Sequence, residues 1–208
     1  LFLPALVRLA AEWPWFVALG YGRVFTTRLI AEALLGLIVG IIAFAFLYAN
    51  LRVAQRGGVP DPLHFQFVEG SAPVDVARLL RRLALPASLG LALLFGLAAA
   101  GGWLGVLQFL NRSPFGVTDP VFGRDVGYYV FTVPVIASAI TLFTVLATLT
   151  VLGTVLLYVL RRDLVMTGRG VTVEPSARLH LAALIALLFV LAAALYLKRQ
   201  APHGAKVF

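Results

Sequence analysis

Residues 29–51 read LIAEALLGLIVGIIAFAFLYANL, and the character of this stretch decides the fold. Its one charged residue is Glu32, near an end. A helix crossing the hydrocarbon core of a bilayer needs about 20 apolar residues. A helix that is apolar on every face belongs either in a large protein core or in lipid. Three more runs share this character: Leu85–Leu110, Tyr129–Leu160 and Leu179–Leu197. A water-soluble domain of 208 residues has no use for four such stretches. The predicted fold is therefore all-α. It is a polytopic transmembrane helix bundle, one domain over residues 1–208, with four spanning helices plus the remnant of an earlier one. That remnant is residues 1–9, apolar apart from Arg8, interrupted by Pro4 and too short to span. The chain begins at Leu1 and not Met, so both ends are expected to be cut from something longer.

Composition agrees. Hydrophobic residues make up 61% of the chain and charged residues 12%, about half the charged share of an ordinary soluble domain. The net charge is +8, but the arginines gather just outside the apolar runs. That placement suits lipid headgroups and topology control, and nucleic-acid binding is excluded as a reading. The absence of cysteine removes disulfides, thiolate-bound metals and thiol catalysis.

Arginine placement also orients the chain. Arg52, Arg56, Arg78, Arg81 and Arg82 lie between the first two runs, and Arg161, Arg162, Arg169 and Arg178 between the last two. The 111–128 segment has only Arg112 and Arg124, offset by Asp119 and Asp125. Loops 52–83 and 161–178 are thus predicted to be cytoplasmic, in a bacterial inner membrane. Lys198 and Arg199, at the outer end of the fourth run, pull against this assignment. The aromatic stretch Trp13, Trp15, Phe16, Tyr21 and Phe25 reads as an outer interfacial belt, with Pro14, Gly20 and Gly22 breaking the helix. After the turn-rich stretch 57–62, Pro73 and Asp75 suit a helix start. Val76, Leu79, Leu80 and Leu83 then recur at helical spacing. This predicts a short interfacial helix over about 73–83.

Candidate contact and functional residues are few. Gly36 with Gly40, and Gly101 with Gly105, have the four-residue spacing that lets helices approach closely in lipid. Thr141, Thr144 and Thr148 on the third run are the candidates for lining a solute path. The simpler expectation is that such hydroxyls return to a carbonyl one turn back. Glu32 lies four residues after Arg28, the spacing of a helical ion pair. His180 opens the fourth run and is a candidate ligand for a tetrapyrrole metal; a hydrogen bond to a headgroup or backbone is the plainer role. In the 111–128 loop, Phe115, Gly116, Asp119, Pro120, Phe122, Gly123 and Asp125 predict an ordered structure of successive turns. Its aromatics are expected to pack on the bundle, and Asp125 to pair with Arg124 or Arg112. Two carboxylates there could serve an enzyme only if they converge in a cleft. No catalytic or metal-ligating constellation is predicted, and no cofactor.

This loop carries a resemblance. Phe115-Gly116, Asp119-Pro120, Phe122-Gly123, Asp125, Tyr128-Tyr129 and Phe131 follow the pattern F-G-x-x-D-P-x-F-G-x-D-x-x-[FY]-Y-x-F. That pattern resembles a bacterial membrane family with only a serial name, uncharacterised protein family 0182. Trp15-Phe16, Leu19-Gly20-Tyr21 and Val24-Phe25 are similar to a second stretch of that family. Arg169-Gly170-Val171, Val173, Pro175, Ala177-Arg178 and His180-Leu181 are similar to a third. The resemblance implies a membrane region of several helices followed by a large extracytoplasmic part, with residues 204–208 as the approach to it. It implies no activity, substrate or catalytic residue. The expected role is structural or accessory, anchoring that part or serving as a subunit beside other membrane proteins. The alternative is a transporter or channel along the Thr-rich third run.

Overall fold

The computed structural model describes residues 2–56, 64–65, 74–120, 122–161, 163–167 and 170–200. The 57–62 stretch, Arg169, His203 and residues 204–208 lie outside the described residues. In chain order the elements are α1 (Phe2–Ala18), α2 (Gly22–Ala54), a short pairing of β1 (His64–Phe65) with β2 (Val74–Asp75), α3 (Val76–Ala100) and α4 (Trp103–Leu110). A π-helical turn, Tyr128–Thr132, then leads into α5 (Val133–Leu160), the hairpin of β3 (Leu164–Thr167) and β4 (Gly170–Val173), and α6 (Pro175–Gln200). Among the described residues, four segments are long and apolar enough to cross a membrane: Gly22–Ala54, Leu79–Ala100, Tyr128–Leu160 and Pro175–Tyr196.

Several boundaries differ from the sequence reading, each for a physical reason. Pro14 lies inside α1 and does not end it. A proline costs one backbone hydrogen bond, here to the Ala10 carbonyl, and a helix can absorb that loss. The helix ends instead at Gly20, whose φ of +77° is open to glycine. The Tyr21 amide donates to the Phe16 carbonyl at 2.8 Å and the Gly20 amide to Val17 at 3.0 Å. That pair of bonds is the Schellman closure of a helix C-terminus. The interfacial helix expected over 73–83 is not separate: α3 starts at Val76 and continues through Pro86 to Ala100. The run expected to be one helix over 85–110 divides at Gly101-Gly102, and α4 starts afresh at Trp103. Two adjacent glycines give up the side-chain packing and low backbone entropy that would hold a helix through this point.

The core lies where α2, α3 and α5 meet. Ala43, Leu47, Ala92, Phe95 and Leu146 are buried there together. A second cluster, Ala54, Leu157, Tyr158, Ala177 and Leu181, joins α2, α5 and α6. Small residues let α2 and α3 touch, and the partners are Gly36 and Gly40 against Gly96. A Cβ built on Gly96 would sit 2.6 Å from the Gly36 carbonyl oxygen, and one on Gly36 would sit 3.0 Å from the Gly96 carbonyl oxygen. Gly101 and Gly105 do not make this contact: a Cβ on Gly105 would meet nothing within 4 Å. The spacing rule picks out pairs of glycines four apart, but the crossing point selects only those facing another backbone.

At the other face of the membrane the chain has its only long hairpin among the described residues. It pairs Leu164 with Val173, Val165 with Thr172, Met166 with Val171 and Thr167 with Gly170. Pro175 opens α6, where the missing N–H of proline leaves no intrahelical bond unmade.

The α2–α3 crossing yields a direct test. Gly96→Ala must push the helices apart at the Gly36 carbonyl, a cost of about 1–3 kcal/mol for overpacking. Gly90→Ala, where an added Cβ meets open space, is expected to be neutral or slightly stabilising. Reversible unfolding of the two variants in detergent should separate them by that amount.

Candidate functional site

Two polar assemblies stand out, one at each end of the bundle. At the hairpin end, Asn50 of α2, Tyr158 of α5 and His180 of α6 form a chain of hydrogen bonds. Asn50 Nδ2 donates to the Phe46 carbonyl one turn back at 2.7 Å. Its Oδ1 is thereby turned to His180 Nε2, 2.9 Å away. An amide oxygen can only accept, so Nε2 carries the imidazole proton. Nδ1 then accepts from the Tyr158 hydroxyl at 2.8 Å. This pattern suits a neutral imidazole, and both its nitrogens have protein partners. A metal could bind only by breaking one of these bonds, so the arrangement speaks against His180 as a tetrapyrrole ligand.

Next to this chain, Arg161 is 5% exposed. Its Nη1 donates to the Ala54 carbonyl, which ends α2. Its Nε lies 3.4 Å from Asp163 Oδ2. The Asp163 amide donates to the Tyr158 carbonyl at 3.0 Å, and the Asp163 carbonyl accepts from the Glu174 amide at 2.9 Å. Asp163 thus ties the end of α5 to the base of the hairpin. Gln55 Nε2 donates to the Leu80 carbonyl at 3.2 Å, which brings α3 into the same assembly. Gln55 Oε1 is buried without a hydrogen bond among the described residues. Four helices are joined at this end by contacts that span between 22 and 130 residues of sequence.

At the opposite end the 111–128 loop is fixed by its two carboxylates. Asp125 accepts from the backbone amides of Phe115 at 3.2 Å, Gly116 at 3.0 Å and Gly127 at 2.7 Å. The Phe115 amide, then that of Gly127, with a smaller share from Gly116, hold its carboxyl below the usual carboxylate range, and burial opposes them. Neither expected arginine pairs with Asp125. Arg124 lies over the Tyr128 ring, 5.2 Å from its centre, and Arg112 donates to the Phe109 carbonyl at 2.9 Å. Backbone amides within the loop are closer at hand than long side chains, and they capture the carboxylate. Asp119 Oδ2 accepts from the Phe122 amide at 3.2 Å and from the Tyr129 hydroxyl at 2.8 Å. Gly116 and Gly123 take φ of +72° and +62° to make the turns. Pro120 follows Asp119 at the loop's far bend. Phe115 stacks on Phe131 at 5.8 Å, whereas Phe122 is 60% exposed and does not pack on the bundle. Both carboxylates are engaged by the loop itself, the geometry of a brace and not of a general acid–base pair.

Other polar side chains in the spanning helices bond within their own helix. The hydroxyls of Thr141, Thr144 and Thr148 bond the carbonyls of Ala137, Ile140 and Thr144 at 2.8, 2.7 and 2.8 Å. Arg28 pairs with Glu32 at 2.7 Å and reaches Glu12 of α1 at 3.7 Å. Trp13 and Phe16 of α1 stack on the buried Phe25 of α2 at 5.4 and 5.3 Å. Part of the aromatic stretch therefore forms a helix–helix contact. The sequence reading missed both the Asn50–His180–Tyr158 chain and the hairpin. The hairpin had a signal, alternating Val and Thr around Gly168 to Gly170. The hydrogen-bond chain had none, because only the packing of three helices brings its members together.

The model of the Uncharacterised protein family (UPF0182) matches residues 1–201. The chain belongs to this family. A UPF0182 protein of Trichlorobacter lovleyi is 38% identical over 95% of the chain, and that stretch is 23% of the relative's length. One from Geobacter sulfurreducens is 34% identical over 89% of the chain and 22% of its own length. One from Mycobacterium marinum is 34% identical over 93% of the chain and 20% of its own length. The chain thus spans between a fifth and a quarter of these UPF0182 relatives. No solved structure matches it.

Two measurements test these assemblies. His180→Leu leaves Asn50 Oδ1 and the Tyr158 hydroxyl without their partner and is expected to cost about 1–3 kcal/mol. Asn50→Leu/His180→Leu should lose less than the sum of the single changes, a coupling of about 0.6 kcal/mol by precedent for bonds between membrane helices. Unfolding titrations of all four proteins in one detergent give the cycle. For the loop, the lowered Asp125 value means its bracing is complete above the ordinary carboxylate value of about 3.9 and fades as pH falls through the folded value. The Gly116 and Gly127 amide resonances should move together with pH in that acid range, and Asp125→Asn should abolish the movement.

Proposed function

We propose that these residues are the membrane-embedded part of a longer protein, a non-catalytic anchor for an extracytoplasmic part or for neighbouring membrane subunits. What supports the reading is where the polar side chains of the spanning helices go. The hydroxyls of Ser88, Thr150 and Thr154 bond carbonyls of their own helices at 2.7–2.9 Å. Those of Thr141, Thr144 and Thr148 do the same. Asn50, Tyr158 and His180 bond one another. A solute path needs polar groups turned toward a wet lumen or a broken helix at mid-membrane. An anchor needs them satisfied inside the protein. The matched stretch is 20–23% of the relatives' length, which fits a module serving a larger whole.

The arginine distribution supports loops 52–83 and 161–178 facing the cytoplasm of a bacterial inner membrane. The absence of native cysteine makes single-cysteine labelling clean. Ser113→Cys should react with a membrane-impermeant maleimide in intact spheroplasts, and Ser71→Cys only after lysis. The reverse pattern would overturn the orientation. Vesicles reconstituted with the protein should leak ions and small solutes no faster than empty ones. Selective flux lost on Thr144→Val would overturn the anchor reading in favour of transport.

A further inference from the structure

We propose that a cleft between α2, α4 and α5 is a binding site for an anionic phospholipid, with one acyl chain in the cleft and the headgroup at Arg112 and Arg124. The inference rests on the helices being membrane spans and is independent of the anchoring role.

The cleft arises from the break in the second run. Where α3 ends and α4 restarts, Gly102 and Gly105 offer no side chain, and a space of about 300 Å³ opens beside them. That volume is at the lower end of the range of small-molecule sites. Its floor is the bundle core itself, Ala43, Phe95 and Leu146. Its rim includes Ile42 and Phe143, each nearly half exposed toward the surroundings of the bundle. At this depth those surroundings are hydrocarbon. Water would find few hydrogen-bonding partners in such a cleft, because Ser138, the hydroxyl on its wall, already donates to the Pro134 carbonyl at 2.9 Å. An acyl chain from the bilayer is the occupant that the apolar walls and lateral opening admit.

The charge above the cleft selects the headgroup. Arg112 follows Val106 of the cleft wall by six residues, and Tyr128, beneath Arg124, precedes Pro134 of the opposite wall by six. Both cations therefore lie on the loop side of the cleft, where the headgroup of a lipid seated in it would emerge. The Arg112 guanidinium lies 4.5 Å over the Phe109 ring and that of Arg124 5.2 Å over Tyr128. Among the described residues neither has a carboxylate within ion-pair distance. The nearby acids Asp119 and Asp125 are held by loop amides and the Tyr129 hydroxyl. Guanidinium groups not turned to a carboxylate can donate to a lipid phosphate in charge-assisted hydrogen bonds.

The test uses Trp103, the first residue of α4, as reporter, with Trp13 and Trp15 changed to Phe. The protein is reconstituted in phosphatidylcholine vesicles containing a minor fraction of brominated phosphatidylglycerol or brominated phosphatidylcholine. Each arginine near an anionic headgroup is worth roughly a fivefold preference. With two arginines, quenching of Trp103 by the brominated phosphatidylglycerol should therefore reach half its maximum at a mole fraction about twenty-fivefold lower. Arg112→Gln/Arg124→Gln should equalise the two lipids. Gly105→Leu, whose side chain enters open space in the cleft, should lower quenching by both. Gly90→Leu, equally open but away from the cleft, should leave quenching unchanged and controls for loss of folding. Equal quenching of the parent protein by the two lipids, or quenching indifferent to Gly105→Leu, would overturn the proposal.

Discussion

Hydrocarbon offers no hydrogen bonds, and that constraint decides where polar groups in the spanning helices turn. A backbone or side-chain donor left unpaired in lipid costs several kcal/mol, because nothing in the solvent can replace water. The helices answer in two ways. Where a hydroxyl faces lipid or a neighbouring helix, as in Thr148 or Ser88, it bonds the carbonyl one turn back. Where a group cannot reach its own backbone, as in His180, it finds partners on two other helices. The same constraint makes Arg161 stay at the membrane edge, tied to a carbonyl and to Asp163. In water these contacts would be optional. In lipid they decide which helices lie together.

Packing does the rest. Burial of apolar side chains gives little drive for association when the solvent is itself apolar, so close approach of backbones carries more weight. Gly36 and Gly96 bring α2 and α3 nearly into backbone contact. α2 then touches α3 along one side and α5 along another, and its end is stitched to α5 and α6 by Asn50 and the Ala54 carbonyl. It acts as the mast of the bundle. The two ends are fixed differently. One is closed by side chains joining separate helices. The other is closed by a loop whose carboxylates bind its own amides. The loop is also seated on the helix beneath it, through the Tyr129 hydroxyl on Asp119 and the Phe115 ring on Phe131.

The spans were legible because lipid imposes a crude composition rule that any long apolar run satisfies. The order in the 111–128 loop was legible for a related reason: Gly116, Pro120 and Gly123 each demand a particular backbone turn. What escaped the sequence depends on distant partners. Gly96 and Gly105 look alike as residues in one apolar run, yet one meets the Gly36 carbonyl and the other meets space. Asp125 was expected to find an arginine and instead found three amides, because turn geometry aims N–H groups inward in a way composition does not encode. Pro14 looked like a breaker, yet α1 runs through it and sets Trp13 and Phe16 against Phe25. His180 was visible as an unusual residue. Its partners lie 22 and 130 residues away and had no signature in spacing.

All of these contacts take their weight from the solvent around the helices. The decisive measurement is extraction of the expressed chain from bacterial membranes with alkaline carbonate, followed by detergent, with helix content read by circular dichroism in each fraction. A chain embedded in lipid stays in the carbonate pellet and is recovered helical and monodisperse only with detergent. A helical, monodisperse chain in the detergent-free supernatant would contradict that placement.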